Sequence, residues 1–519
     1  MNYAELFRVT LPETVLEVAA LLVLAVDLGM LRSAAAKTRA AVAASLGVAG
    51  CAAALWAMSF AAAPGLSAAN DLLLAVGGAA AAAQAGILIL TAITLLLLID
   101  SNFTRHAGEY VAVVLMSAAG GLLIAAAQDL LVIFIGLELL SLGLYILTAF
   151  AKKSGTSAEA AMKYYLFGGM SAAFLLFGFS YLYGLSGSTY LPRVVMGTYM
   201  ASAQGATPLL LLALVMVAAG LGFKVAAVPF HLWAPDTYEG APAPAAAFIA
   251  SVSKVASFAL LISISSVALH FFESFHATRR IVIFHIAPAH VTVGIISIWP
   301  FILVVLAVAS MVLGNLAALA QVSVRRLLAY SAVAHAGYIL LGLAFFSWSN
   351  ASANAILYYI LTYGLTTVGA FGVISVVEQS TGSDRLDAFL GLHKRNPLLA
   401  AVTLVLFLSL AGIPPLVGFW AKFNLFAAVL GLGYKFDHPL TSLPMMPLAL
   451  VALAIAMSAV SLYYYLQVLK RVYVMPATCE TPIAAHPVTM AVLLMIAAAV
   501  VVMGCLPALL QNWIASFYS

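Results

Sequence analysis

Apolar runs of about 20 residues recur along the whole chain, separated by short stretches that collect Arg, Lys, Asp, Pro and Gly. Fourteen windows fit this description, near 11–31, 40–62, 71–99, 110–128, 130–150, 161–185, 208–231, 243–269, 296–320, 327–347, 354–377, 397–431, 446–468 and 488–507. A helix of roughly 20 residues covers the roughly 30 Å of bilayer hydrocarbon. The pattern therefore predicts an all-α polytopic membrane protein of about 14 transmembrane helices. The first window carries Glu13, Glu17 and Asp27, which spoil the apolar core of a signal peptide, so it is read as a retained helix. The stretch from His270 to Ile295 mixes charged and apolar residues and has room for a short interfacial helix.

Composition strengthens this reading: 65% of the 519 residues are apolar, 8% are charged and the mean hydropathy is +1.12. Soluble domains carry about 25% charged residues, so the solvent of this chain is lipid, and no nucleic-acid partner is expected. The three cysteines, Cys51, Cys479 and Cys505, have no metal or redox spacing. Of the 22 basic residues, 14 fall in connections after odd-numbered helices and 5 on the other side, the remaining three being intramembrane lysines. Under the positive-inside rule both termini then face away from the cytoplasm.

An internal repeat emerges when the connections are compared. Asp129-Leu130-Leu131 is followed nine residues later by Glu138, and Arg326-Leu327-Leu328 nine residues later by His335. Prolines interrupt the seventh window at Pro229 and the twelfth at Pro414-Pro415, each beside a lysine. Five helices separate the copies, so the two run through the membrane in opposite directions, as in many transporters. The expected division is an N-terminal three-helix region (1–109), a first repeat (110–269), a connection (270–295), a second inverted repeat (296–475) and a C-terminal helix (476–519).

The breaks carry the candidate chemistry. Pro229 has no N–H, so the Val225 carbonyl loses its helical partner; Pro414 and Pro415 do the same to Leu410 and Ala411. Such groups are tolerated in a membrane only where protein or a watery cavity receives them. Lys224 is expected beside the first freed carbonyl, Lys422 in the second half of the other broken helix, and Lys254 near Ser251 and Ser253. Ionisable groups at this depth are costly and mark ion pathways by default. Glu138 reads as an acid partner that biases a lysine and His335 as a relay group. The alternatives are a snorkelling lysine, a protonated carboxyl hydrogen-bonded to a neighbouring helix and a core histidine. His270, His276, His285 and His290 share one connection, but their spacing fits no usual zinc site. Gly220-Leu-Gly222 and Gly431-Leu-Gly433 lack the strand and third glycine of a nucleotide fingerprint and read as helix packing.

The run from Lys224 through Pro229, His231, Asp236 and Glu239 to Gly240-Ala241-Pro242, with Ser253-Lys254 downstream, resembles the antiporter-like proton-translocating subunits of respiratory complex I and their multisubunit cation/proton antiporter relatives. The likeness extends from about Val111 to Tyr473 and includes Arg325 to Ser331, His335 to Tyr338 and Gly412 to Phe419. Within the family the chain is most similar to N-type members of bacterial NADH-quinone oxidoreductase. L-type members continue with a lateral helix, and M-type members carry glutamate where Lys422 stands.

The resemblance implies two inverted five-helix bundles with helices seven and twelve broken. Glu138 and Lys224 would be the input charge pair, Lys254 and His335 part of the connecting axis, and Lys422 the terminal proton carrier. It implies a translocase subunit with no cofactor of its own. NADH, FMN, iron–sulfur clusters and quinone would belong to other subunits, and its partners would be the peripheral and membrane subunits, neighbouring antiporter-like ones among them. The alternative is a subunit of a multisubunit Na⁺/H⁺ antiporter.

Overall fold

A computed structural model describes residues 3–61, 73–100, 103–282, 294–346, 350–431, 445–477 and 481–518. Among these, 12 helices are long and apolar enough to cross a membrane. Two further crossings complete the expected fourteen. The helix α1 (Leu11–Gly29) is about 28 Å long but carries three acids. The other crossing comes in two shorter pieces, α12a (Pro397–Ala411) and α12b (Val417–Val429).

The remaining membrane helices are α2 (Ala36–Ala61), α3 (Gly78–Leu96), α4 (Ala107–Ala126), α5 (Leu130–Thr148), α6 (Gly155–Ser186), α7a (Thr207–Val225) with its short sequel α7b (Trp233–Gly240), α8 (Ala243–Val282), α9 (Gly294–Leu319), α10 (Val324–Ala344), α11 (Asn350–Thr381), α13 (Met445–Tyr473) and α14 (Pro487–Cys505). The short helix expected within 270–295 is not separate as far as Val282: those residues continue α8 to a length of 40, and 283–293 lie outside the described residues.

Burial sorts the helices. The spans of α8, α10 and α11 are 89%, 94% and 94% buried, whereas those of α6 and α13 are 33% and 22% buried and turn leucine and aromatic side chains to the lipid. The three helices inside are the ones that carry Lys254, His335 and, of the tyrosines around it, Tyr359 and Tyr363. The polar line is therefore central, and the apolar rim shields it from lipid.

The starts of α5 and α10 share one pattern of backbone hydrogen bonds. The Leu130 N–H donates to the Thr189 carbonyl and Leu191 N–H to the Gln128 carbonyl; in the second copy Val324 N–H donates to Asp384 and Leu386 N–H to Val322. Helix contacts repeat at the same spacing. A Cβ on Gly120 would stand 2.6 Å from Leu140 N, and one on Gly314 would stand 2.6 Å from Ala334 N, so each glycine permits a close helix crossing. Position 130 thus corresponds to 324, three residues away from the correspondence of Asp129 with Arg326 suggested by charge. The cause is the helix cap. Asp129 accepts from Leu131 N–H and Ser323 from Arg326 N–H, so the charge is itself the cap of α5, whereas the cap of α10 stands three residues before Arg326. Ser141, not Glu138, is the counterpart of His335.

Candidate proton-translocation site

At the first break, α7a closes on itself: Ala226 adopts φ 57°, its N–H donates to the Phe223 carbonyl at 3.0 Å, and Ala227 N–H reaches Gly222 at 2.8 Å. The Val225 carbonyl, which Pro229 leaves without a helical donor, accepts the ammonium of Lys254 from α8. Lys254 is buried, and the Trp233 ring lies 5.9 Å from its nitrogen. Lys224 was expected beside this carbonyl, yet it turns the other way and donates to the Ser141 hydroxyl of α5. The sequence located the freed carbonyl but not its partner, because a lysine two elements away reaches it through tertiary packing. The serines flanking Lys254 do not solvate it: Ser251 donates to the Ala247 carbonyl of its own helix.

Glu138 lies one turn before Ser141 on α5 and is half-buried. Its carboxylate is in electrostatic reach of Lys224 but makes no contact ion pair with it, since Ser141 holds the contact position. In an interior of low effective dielectric such a charge acts over several ångströms without contact.

At the second break Lys422 lies in α12b, the second half of the broken helix. The Lys422 nitrogen donates to the Leu410 carbonyl at 3.2 Å and the Ala411 carbonyl at 2.9 Å, the two groups that Pro414 and Pro415 leave unpaired, and to Ser458 of α13 at 2.8 Å. Three acceptors around a buried ammonium exclude the snorkelling alternative. Gly412, with φ 85°, lets the chain pass the lysine: a Cβ there would stand 2.9 Å from Lys422 Cδ.

His335 is buried on α10 between two phenols. Its Nδ1 lies 2.8 Å from the Tyr359 hydroxyl and its Nε2 lies 3.3 Å from the Tyr465 hydroxyl, which is bonded in turn to Ser331. The Tyr363 ring lies 4.7 Å from the imidazole. Between His335 and the second break is a small cavity lined by Tyr359, Thr362, Thr366 and Ser409, with room for about one water molecule. The adjacent residue of α11, Gly364, faces Ser251 and Val255 of α8, so α11 spans the interval between the Lys254 helix and His335. Tyr338 completes the group: its ring lies 5.6 Å from the Lys422 nitrogen and its hydroxyl accepts from Asn315 at 3.1 Å.

The sequence reading missed Ser141, Ser458, Tyr359 and Tyr465. Ser141 was findable, one turn from Glu138 on the same helix face; the tyrosines were not, since nothing local separates them from the other 19 in the chain. Among the described residues no group of three or more His, Cys, Asp or Glu could hold a metal ion. His285 and His290 lie outside the described residues, as do the side chains of His270 and His276.

A family model described as NADH:quinone oxidoreductase/Mrp antiporter, transmembrane, matches residues 127–287 and 277–436. The NADH-quinone oxidoreductase subunit N 2 of Acidobacterium capsulatum is 46% identical over 99% of both chains. The chain belongs to the subunit N family of NADH-quinone oxidoreductases. A second member, subunit N 1 of Roseiflexus castenholzii, is 38% identical over 82% of this chain and 76% of its own. A chain of respiratory complex I from Thermus thermophilus shares the architecture, with a TM-score of 0.73 and 32% identity over 96% of this chain and 98% of that one. A chain of the Mrp complex from Dietzia sp. has a TM-score of 0.75 at 20% identity, a likeness of fold alone, with 98% of this chain matched to 51% of that one.

Proposed function

We propose that this subunit N family member is a proton-translocating membrane subunit of a bacterial NADH-quinone oxidoreductase, with its lysine-rich face toward the cytoplasm. Glu138 and Lys224 receive the driving signal, Lys254 and His335 form the middle of the path, and Lys422 carries the proton at its far end. One observation supports this most: the freed carbonyls at both helix breaks are occupied by buried lysines, Val225 by Lys254 and Leu410 and Ala411 by Lys422. A carbonyl cradle stabilises an ammonium while burial opposes it, and two opposing effects of several kcal/mol leave a group able to lose and regain a proton. Moving one proton against the membrane potential requires about 2.3 kcal/mol per 100 mV, a scale that a shifting buried ion pair can supply.

The drive comes from elsewhere in this reading. Electron transfer from NADH through flavin and iron–sulfur clusters to quinone belongs to partner subunits and reaches this chain as a conformational or electrostatic change. Purification of the intact assembly tests it: the chain should be found with flavin- and iron–sulfur-bearing subunits, and proton uptake by inverted vesicles should require NADH and quinone. Sodium-dependent proton flux in an assembly lacking those subunits would point instead to a cation/proton antiporter.

A further inference from the structure

On the face where most loop lysines and arginines lie, the two repeats are joined by charge. Lys163 of α6 stands 2.8 Å from the Asp236 carboxylate of α7b and 2.7 Å from Glu159. Asp236 also receives Arg326 of α10 at 2.7 Å, and Arg326 reaches Glu239 at 2.8 Å. Beside them the buried Arg325 contacts Glu378 of α11 and donates to the Glu239 and Ala241 carbonyls at 3.2 and 2.6 Å. The eight residues of α7b are therefore held on one side by the first repeat and on the other by the second.

The opposite end of α7b reaches the lysine path. Trp233, its first residue, donates from Nε1 to the Phe223 carbonyl at 2.9 Å and stacks on Tyr164 at 4.3 Å, with planes 4° apart. Tyr164 follows Lys163, so the same two helices meet twice, once by charge and once by ring. The indole lies 5.9 Å from the Lys254 nitrogen. A displacement of α7b would move this ring and the segment that sets the Val225 carbonyl.

The sister helix shows that the fold does not demand ions here. The segment α12b has no acidic residue, and its Trp420 is tied by a hydrogen bond from Nε1 to the Gly504 carbonyl of α14 at 2.8 Å. The second break is anchored to the terminal helix; the first is anchored across the repeats. Isolated surface pairs contribute little, but a carboxylate shared by two cations on separate helices fixes one helix against two others.

We propose that Asp236 and Arg326 form an inter-repeat latch, positioning residues that set where α7b stands and so couple the Lys254 cradle to α10, the helix of His335. The functional half of this inference rests on the translocation reading above; the mechanical half does not.

Amide exchange on the intact complex tests the mechanical half. In Asp236→Asn and Arg326→Gln, exchange of the 226–240 backbone should quicken about tenfold while α4 is unchanged, and Asp236→Glu and Arg326→Lys should restore most of the protection. Raised ionic strength should produce the same local change in the wild-type complex, which keeps the test independent of variant assembly. Unchanged exchange in both neutral variants, or no salt response in the wild type, overturns the latch whether or not the chain moves protons. Faster exchange with an unaltered ratio of protons moved to NADH oxidised overturns the coupling role. If Lys422→Met also leaves pumping intact, the translocation reading has failed instead, and the exchange result still stands.

Discussion

At the scale of single residues, contact and charge separate cleanly around Lys224. Ser141 supplies the contact and Glu138 supplies a charge without contact. Glu138→Gln keeps the shape and removes the charge, so it should slow coupled turnover nearly as much as Glu138→Ala, about tenfold or more, while Glu138→Asp keeps part of it. NADH-driven proton uptake in vesicles measures the difference, and a Gln variant equal to wild type would show that the charge is irrelevant. Lys224→Ala should preserve assembly and lower proton uptake sharply. Ser141→Ala removes the hydroxyl that accepts from the buried Lys224 ammonium, a loss on the order of 1–3 kcal/mol, and should impair uptake while leaving Glu138 in place. Equal activity of Ser141→Ala and wild type would reduce the serine to a bystander. The acidic and basic residues of this group were visible in the sequence because charge in an apolar run stands out. The serine and the tyrosines were not, because hydroxyls are common in membrane helices and acquire meaning only from what they face.

At the scale of elements, proline placement was the most readable feature. Covalent structure dictates that Pro229, Pro414 and Pro415 withhold donors from Val225, Leu410 and Ala411, and those carbonyls are the ones that accept lysines. Which lysine fills which cradle is a tertiary matter, hence the exchange of Lys254 for Lys224 at the first break. Pro229→Ala restores an N–H that competes for the Val225 carbonyl. It should leave the complex assembled, add amide protection near residue 229 and cut proton uptake severalfold at undiminished NADH oxidation. A variant with added protection but normal proton uptake would show that the freed carbonyl is dispensable. The repeat was legible in outline but three residues out of register, because the cap that starts α5 is charged and the one that starts α10 is a serine. Lys163, Arg325 and Arg326 read as orientation signals, and their ion pairs with Asp236, Glu239 and Glu378 could not be inferred, since the partners lie 53 to 90 positions away.

For the whole molecule, about fourteen crossings follow from hydropathy, since a backbone in lipid must satisfy its own polar groups, but which helices are buried does not: the hydropathy of the α8, α10 and α11 spans lies between those of α6 and α13 on the rim. That protons pass through the breaks does not follow from hydropathy; it depends on whether the lysines there change protonation state. Lys422 offers the most direct measurement: protons taken up per NADH oxidised in inverted vesicles carrying the intact complex, compared for wild type, Lys422→Met and Lys422→Arg. The methionine cannot carry a proton and the guanidinium does not release one. Both variants should therefore lose most of the proton yield, on the order of tenfold, although only one removes the charge. If Lys422→Arg pumps as the wild type does, the ammonium in the Leu410 and Ala411 cradle is a fixed charge and the proposed path does not run through it.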